Sequence, residues 1–294
     1  MKTYREELKS YLASKYTPKT VAAYMNEIET FVSNHPKAAN YKQAEVLEYI
    51  GELRNLGRHP RTLNRILGAI KSYYRFLSVS GKREDNPVRF LTLKHKINRD
   101  VQLQDLLDEE ELERLLQFEG QIRFPTLTSR NYLMVSLLVY QGLRSKELDQ
   151  LLLKDIDLEK GKVKIKKQAK TNGRELYLRE NQIPIFEKYI NEDRVKLLKG
   201  TKSEYLIIGQ RRNKMTGEDI TKHVIRIYRN YIPEKKVNAQ IIRQSVITNL
   251  LKKGKDIRLV QVFAGHRYPD STERYKQNNV DELQKEIEKY HPLK

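Results

Sequence analysis

Residues 162–180, KVKIKKQAKTNGRELYLRE, hold the only stretch of this sequence in which apolar and polar residues alternate as a strand requires. Val163 and Ile165 alternate with lysines, and Leu176 and Leu178 repeat the pattern after a turn containing Asn172-Gly173. Segments 162–167 and 175–180 therefore read as a small antiparallel hairpin. Almost everything else with a pattern follows the helical period. The fold class expected is mainly α, in two domains, with one small sheet in the second half.

Upstream, Thr17-Pro18 reads as a cap followed by proline at the first helical position. Val21, Tyr24, Ile28, Phe31 and Val32 follow at helical spacing. A second helix is expected near Gln43–Arg54, with Val46, Leu47, Ile50 and Leu53 on one face. A third, after His59-Pro60, carries Leu63, Ile66, Leu67, Ile70, Tyr74 and Leu77 and ends at Gly81. After Asn86-Pro87 the chain is basic and irregular, until Asp108 opens an acidic helix start that suits the positive end of a helix dipole. This divides the chain into a helical domain at 1–90, a linker at 91–106 and a second domain at 107–294. In the second domain, NYLMVSLLVYQGLRSKELDQL (131–151) reads as a buried helix turning through Gly142 into another. Helical patterns resume in VIRIYRNYI, IIRQSVITNLLKK and DIRLVQVFAG, and the tail DELQKEIEKYHPLK is expected to be a short, highly charged helix.

The charge balance is strongly positive: 57 Lys and Arg against 38 Asp and Glu give +19 over 294 residues. Such a field attracts polyanions, and nucleic acid is the leading partner. The excess is uneven, because residues 1–50 carry 7 basic and 6 acidic residues, whereas residues 51–100 carry 12 and 4. The third helix and its flanks, with Arg58, Arg61, Arg65, Lys71 and Arg75, are the expected DNA-facing side. With no cysteine in the sequence, disulfides, thiolate zinc sites and cysteine nucleophiles are excluded. No signal-peptide core and no 18-residue apolar run occurs, so a soluble, cytoplasmic protein is expected. A phosphate-binding glycine loop, an H-E-x-x-H pair and a serine nucleophile elbow are all missing.

What remains is a scattered set of cations and one tyrosine. Arg144 follows Gly142-Leu143, Lys170 lies in the hairpin turn, Arg243 sits in QIIRQS, and AGHRYPDSTERY (264–275) holds His266 and Tyr275. These are the parts that phosphodiester chemistry needs. A phosphodiester repels nucleophiles and concentrates negative charge in its transition state, which two guanidiniums counter. A phenol with a pKa of about 10 needs a cationic pocket or a nearby base to become a nucleophile.

In this order and spacing, GLRSKEL, an extended pair with a lysine in its turn, Q-x-x-R on a helix, AGH, and a tyrosine nine residues beyond that histidine resemble the tyrosine recombinases of the phage integrase family. The resemblance extends to the first ninety-odd residues, with Thr20 and Tyr24 in the T-x-x-x-Y helix of a SAM-like core-binding domain. It implies a C-shaped DNA clamp in which a mixed α/β catalytic domain with a small antiparallel sheet follows that helical domain. It also implies roles: Arg144 and Arg243 clamp the scissile phosphate, Lys170 is the general acid, His266 hydrogen-bonds the phosphate, Tyr275 is the nucleophile, and Glu147 supports the first arginine. Neither cofactor nor metal is implied. The expected partners are double-stranded DNA with an inverted-repeat site and further copies of the chain, monomeric in solution and tetrameric on DNA, with 281–290 docking on a neighbour.

Three alternatives attach to single residues. Tyr268, two residues after His266, competes for the role of nucleophile but lies too close to reach the same phosphate. Lys166, Lys167 and Arg174 are neighbours that could stand in for Lys170. Gln240 occupies the place where the family usually has histidine; its amide can donate a hydrogen bond but cannot exchange a proton near neutrality. Besides strand exchange, this leaves open a relaxing enzyme of type IB topoisomerase kind and a catalytically weak DNA-binding regulator.

Overall fold

The computed structural model describes residues 2–94, 105–117, 127–169, 171–229, 231–232 and 234–275. The chain divides into two compact units, Met1–Asn98 and Arg99–Lys294.

The first unit is built of four helices: α1 (Lys2–Ala13), α2 (Pro18–Asn34), α3 (Gln43–Asn55) and α4 (Pro60–Val79). The three that proline starts and apolar spacing predicted are present. α1 is an addition: it commits only Leu8 and Leu12 fully to the core, too few to signal a helix by periodicity. α4 starts at Pro60, where the His59 ring nitrogen accepts the Arg61 N–H at 3.1 Å, and Gly81, at φ 68°, follows its end. The core joins Val21, Met25, Ile28 and Phe31 of α2 to Ile66, Leu67, Ile70, Tyr74 and Leu77 of α4. Burying a side chain such as Phe31 contributes about 1.5–3 kcal/mol. The two helices approach closely at Gly68, where an added Cβ would lie 2.9 Å from the Tyr24 hydroxyl. On the outer side Arg58, Arg61, Arg65 and Arg75 are exposed and Lys71 is half-buried. The helical repeat places residues 61, 65, 71 and 75 within an arc of about 120°. Arg65 is already engaged, paired with Glu27 at 2.6 Å.

The second unit begins with α5 (Glu109–Arg114), capped as its acidic start predicts: Asp108 and Glu111 exchange two backbone-to-carboxylate bonds of 2.8 Å. α6 (Thr128–Tyr140) supplies the centre of the core through Leu133, Met134, Leu137 and Leu138, all fully buried, and α7 (Ser145–Leu148) follows the Gly142 turn. The sheet has three antiparallel strands in sequence order, β1 (Ile156–Asp157), β2 (Lys162–Ile165) and β3 (Arg174–Tyr177). Val163 faces Leu176 and Ile165 faces Arg174. The strands are therefore shorter than the alternation predicted, and residues 166–173 form a long connection. Gly173 is required there because a Cβ would crowd the Lys167 nitrogen at 3.1 Å and the Ile165 oxygen at 3.3 Å. Then come α8 (Ile183–Lys188), a π-helical turn at Tyr189–Asp193, α9 (Arg194–Leu198), α10 (Gly217–Tyr228), α11 (Ala239–Lys252), α12 (Ile257–Ala264) and α13 (Asp270–Glu273). α11 is packed against α5, α6, α10 and α12, which makes it the helix about which this unit is built. Among the described residues no helix is long and apolar enough to cross a membrane.

Candidate active site

Gly142 ends α6 in the left-handed region, at φ 58°, with Phe263 and Val246 packed where a side chain would project. The turn it makes sets Arg144 at the start of α7 and brings Glu147 back beneath it, so that the Arg144 N–H donates to a Glu147 carboxylate oxygen at 3.0 Å. Glu147 is 1% exposed, yet it is not simply Arg144's partner. Its two oxygens accept a bidentate pair from Arg174 of β3, Nη1 to Oε1 at 2.9 Å and Nη2 to Oε2 at 3.0 Å. The Arg144 and Arg243 guanidiniums stand farther off, at 3.6 and 3.8 Å.

Arg243 projects from α11, whose first turn is capped by Asn238. It is 1% exposed and held by backbone carbonyls, Nη1 to Gly142 at 2.6 Å and Nη2 to Ala264 at 2.6 Å. One side chain thus ties the end of α6 to the end of α12. Gln240 lies three residues earlier on the same helix and is exposed, and its side chain makes no hydrogen bond among the described residues.

Gly265, at φ 64°, closes α12 and lies flat against the Arg174 guanidinium, whose Cζ would be 3.0 Å from an added Cβ. His266 follows, buried, its Nδ1 hydrogen-bonded to the Thr272 hydroxyl at 2.8 Å. The hairpin connection is fastened to this turn: the Asn172 N–H donates to the Gly265 carbonyl at 3.1 Å, and Thr171 bridges His266. The Pro-Asp-Ser-Thr segment opens the short helix α13, and Tyr275 lies just past its end. The Tyr275 ring stacks on His266 with centroids 6.0 Å apart and planes 14° from parallel. Tyr268, by contrast, is 63% exposed and bears on neither group.

The electrostatics follow from setting two buried guanidiniums and one partly exposed one beside a buried carboxylate. Burial pulls Arg243 down to about 9, and the nearby charges of Arg144 and Arg174 add to this. Burial, with the same arginines around it, pulls His266 down to about 3, so its imidazole is neutral at physiological pH. Burial alone would raise Glu147, but the Arg174 hydrogen bonds and charge outweigh it and hold the carboxylate ionised. Burial raises Tyr275, against the opposing pull of Arg243, Arg144 and Arg274 and a side-chain hydrogen bond from Gln244. The result is a pocket with excess positive charge, a neutral imidazole, and a phenol that keeps its proton until a base takes it. Nη1 of Arg144 is buried 3.6 Å from Glu147 Oε1 without a hydrogen bond, and the Thr171 hydroxyl and Nε of Arg174 are likewise buried without one.

The structure brings Arg144, Glu147, Arg243, His266 and Tyr275 together, and Lys170 lies outside the described residues. Of its possible substitutes, Lys166 pairs with Asp155 at 3.1 Å and Arg174 is committed to Glu147. Sequence reasoning passed over Thr272 and Gln244, and it named Arg174 only as a stand-in for Lys170. The first two carry no signal beyond adjacency, whereas Arg174 stands next to the Asn-Gly turn in plain view.

The description "Phage integrase family" matches residues 105–282, and "Phage integrase, N-terminal SAM-like domain" matches residues 2–81. The chain belongs to the phage integrase family. Among curated relatives it is 26% identical to tyrosine recombinase XerD of Oceanobacillus iheyensis over 280 residues, covering 93% of this chain and 92% of that protein. It is 28% identical to tyrosine recombinase XerA of Thermococcus kodakarensis over 291 residues, covering 97% and 94%. Its fold is also that of the Tn1549 transposon integrase in complex with transposon right end DNA, with TM-score 0.68, 18% identity and coverage of 97% and 98%. A further likeness is to the XerH site-specific recombinase bound to difH substrate, with TM-score 0.69, 23% identity and coverage of 90% and 78%. The family, the helical SAM-like domain and the catalytic domain with its small sheet are those the ordered motifs implied.

Proposed function

We propose that this integrase-family chain is a site-specific DNA recombinase whose nucleophile is Tyr275. The observation that carries this reading is the cluster of Arg144, Arg174 and Arg243 around the carboxylate of Glu147, with the Tyr275 ring stacked on His266 beside it. Such a cluster has more cations than anions, and a phosphodiester supplies a further negative charge. Arg144, whose side chain is 30% exposed, and Arg243 receive the non-bridging oxygens.

In the reaction the Tyr275 oxygen attacks phosphorus, the bond to the 5′ oxygen breaks, and a 3′-phosphotyrosyl link forms. The phenol releases its proton to water as its oxygen bonds to phosphorus, the charge developing on the phosphate is shared among the guanidiniums, and the leaving 5′ oxygen takes a proton from Lys170. Neutral His266, oriented by Thr272, contributes a hydrogen bond. A second DNA 5′-hydroxyl then attacks the phosphotyrosine and restores the diester, so the bond energy is conserved. The exposed amide of Gln240, one helical turn from Arg243, adds at most a donor on arrival of DNA.

In the same reading, residues 1–90 are a core-binding domain joined through 91–106 to a catalytic domain at 107–294. Arg58, Arg61, Arg65, Lys71 and Arg75 take phosphates of double-stranded DNA carrying an inverted repeat, and four copies assemble on it in the cytoplasm with 281–290 as the exchanged helix. A nicked suicide substrate tests the core of this. The wild type is expected to accumulate a covalent complex with DNA on Tyr275 and a free 5′-hydroxyl, in the presence of EDTA. Covalent trapping that survives Tyr275→Phe overturns the assignment.

A further inference from the structure

Arg174 is a residue that the phosphate chemistry leaves without a task. It is 8% exposed, both of its terminal nitrogens are spent on Glu147, and it stands on a strand across from the turn that carries His266. Glu147 faces three guanidiniums, but its distances are unequal: 2.9 and 3.0 Å to Arg174 against 3.6 Å to Arg144 and 3.8 Å to Arg243. The carboxylate is thereby prevented from closing on either of the other two.

We infer that Arg174 is a positioning residue which occupies both oxygens of Glu147 and so keeps the Arg144 guanidinium free for the scissile phosphate. The geometry explains two features at once. Bidentate pairing takes the two directions from which a carboxylate binds a guanidinium most strongly, so Arg144 is left with its backbone N–H bonded and its Nη1 held off at 3.6 Å, an ion pair without a hydrogen bond. And because Gly265 rests on the same guanidinium while Asn172 bonds the Gly265 carbonyl, Arg174 also sets the spacing between the hairpin connection and His266.

The consequence is a specific pattern of suppression. If Arg174 loses its charge, Glu147 becomes a buried carboxylate with its best partner gone, and it must close on Arg144. The arginine that should hold the phosphate is then neutralised by its own protein. Removing the carboxylate as well relieves the capture. The inference rests on the recombinase reading, and one experiment separates the failures of the two. Covalent complex formation on the suicide substrate is measured in single turnover at saturating protein, with DNA affinity and melting temperature recorded for each variant. Arg174→Gln is expected to slow cleavage about 100-fold with DNA affinity little changed, and Glu147→Gln about 10-fold, in line with the loss of one electrostatic element. The double variant should be faster than Arg174→Gln alone, by about 10-fold. A part that is merely structural predicts the opposite, a double variant as slow as the two effects multiplied. Arg174→Lys, which keeps the charge but not the fork, should fall between wild type and Arg174→Gln and provides the test if the glutamine variant does not fold. A double variant no faster than Arg174→Gln, or a lysine variant no better than glutamine, overturns the positioning role while wild-type cleavage still upholds the recombinase. Failure of the wild type to form the complex overturns both.

Discussion

Two buried arginine clusters lie in the second unit, and they are built on opposite plans. In the first, Arg144, Arg174 and Arg243 surround Glu147. In the second, Arg130 of α6 is 3% exposed with no carboxylate paired to it among the described residues: it bonds Asn131 Oδ1 at 2.7 Å, the Ile208 carbonyl at 3.2 Å and the His223 ring at 3.4 Å. His223 in turn meets Arg226 at 2.8 Å. This second cluster lines an open cavity of about 460 Å³ together with Arg211, Lys214 and Lys222. The difference teaches how a fold can bury cations for two purposes. A carboxylate fixes guanidiniums in direction, to within the tolerance that chemistry needs, at the cost of part of their charge. Neutral acceptors hold an arginine in place and leave its charge undiminished, which suits attraction at longer range.

The comparison can be broken most decisively at Arg243. Lysine cannot reach the carbonyls of Gly142 and Ala264 together, so Arg243→Lys should lower single-turnover cleavage by about 1,000-fold. Loss of only a few-fold would show that direction matters less than charge. Arg130→Met should instead act on stability, lowering it by about 2 kcal/mol in urea denaturation, because Asn131 and the Ile208 carbonyl lose a charged donor. Its cleavage at saturating protein should remain within about 3-fold of wild type, and a collapse of the chemistry would join the two clusters into one site. Arg226→Gln should weaken DNA binding and reduce the salt slope by about 1 while leaving saturated cleavage alone; an unchanged slope would remove this cavity from the DNA path.

The smallest effect expected is on stability against pH. Burial and neighbouring arginines hold His266 at about 3 and His223 at about 4, both below their ordinary value of 6.5. As the pH falls through 6.5 the unfolded chain takes up these protons first, so the stabilisation present above 6.5 is lost progressively down to about 4 for one ring and about 3 for the other. Melting temperatures between pH 7.5 and 4.5 should fall less steeply in His223→Gln than in wild type.

The helices of the first unit were legible because proline starts and apolar spacing are local signals, as in Thr17-Pro18 with Val21, Ile28 and Phe31. The two-residue strand β1 was not, since Ile156 is a strand only by pairing with Val163. In the active site, Arg144, Arg243, His266 and Tyr275 could be picked from the order of motifs. Glu147 could be picked with them as support for Arg144, but Thr272 could not, because it acquires its meaning from the turn at Gly265. Arg174 illustrates the limit best: in the sequence it is one more cation beside Lys170, and only the register Ile165 to Arg174 turns it towards Glu147. Arg130 is similar, a charge at the start of an apolar run that gives no hint of being buried.

The contact between Gly265 and Arg174 also bears on how this chain can change over generations. No residue larger than glycine fits at 265 while the guanidinium lies beneath it, and a smaller residue at 174 would make the room only by releasing Glu147. Each position thus forbids the first step of any path through the other. The pair should stay fixed as surrounding loops diverge, and a laboratory library that varies one of the two alone will sample almost nothing that works.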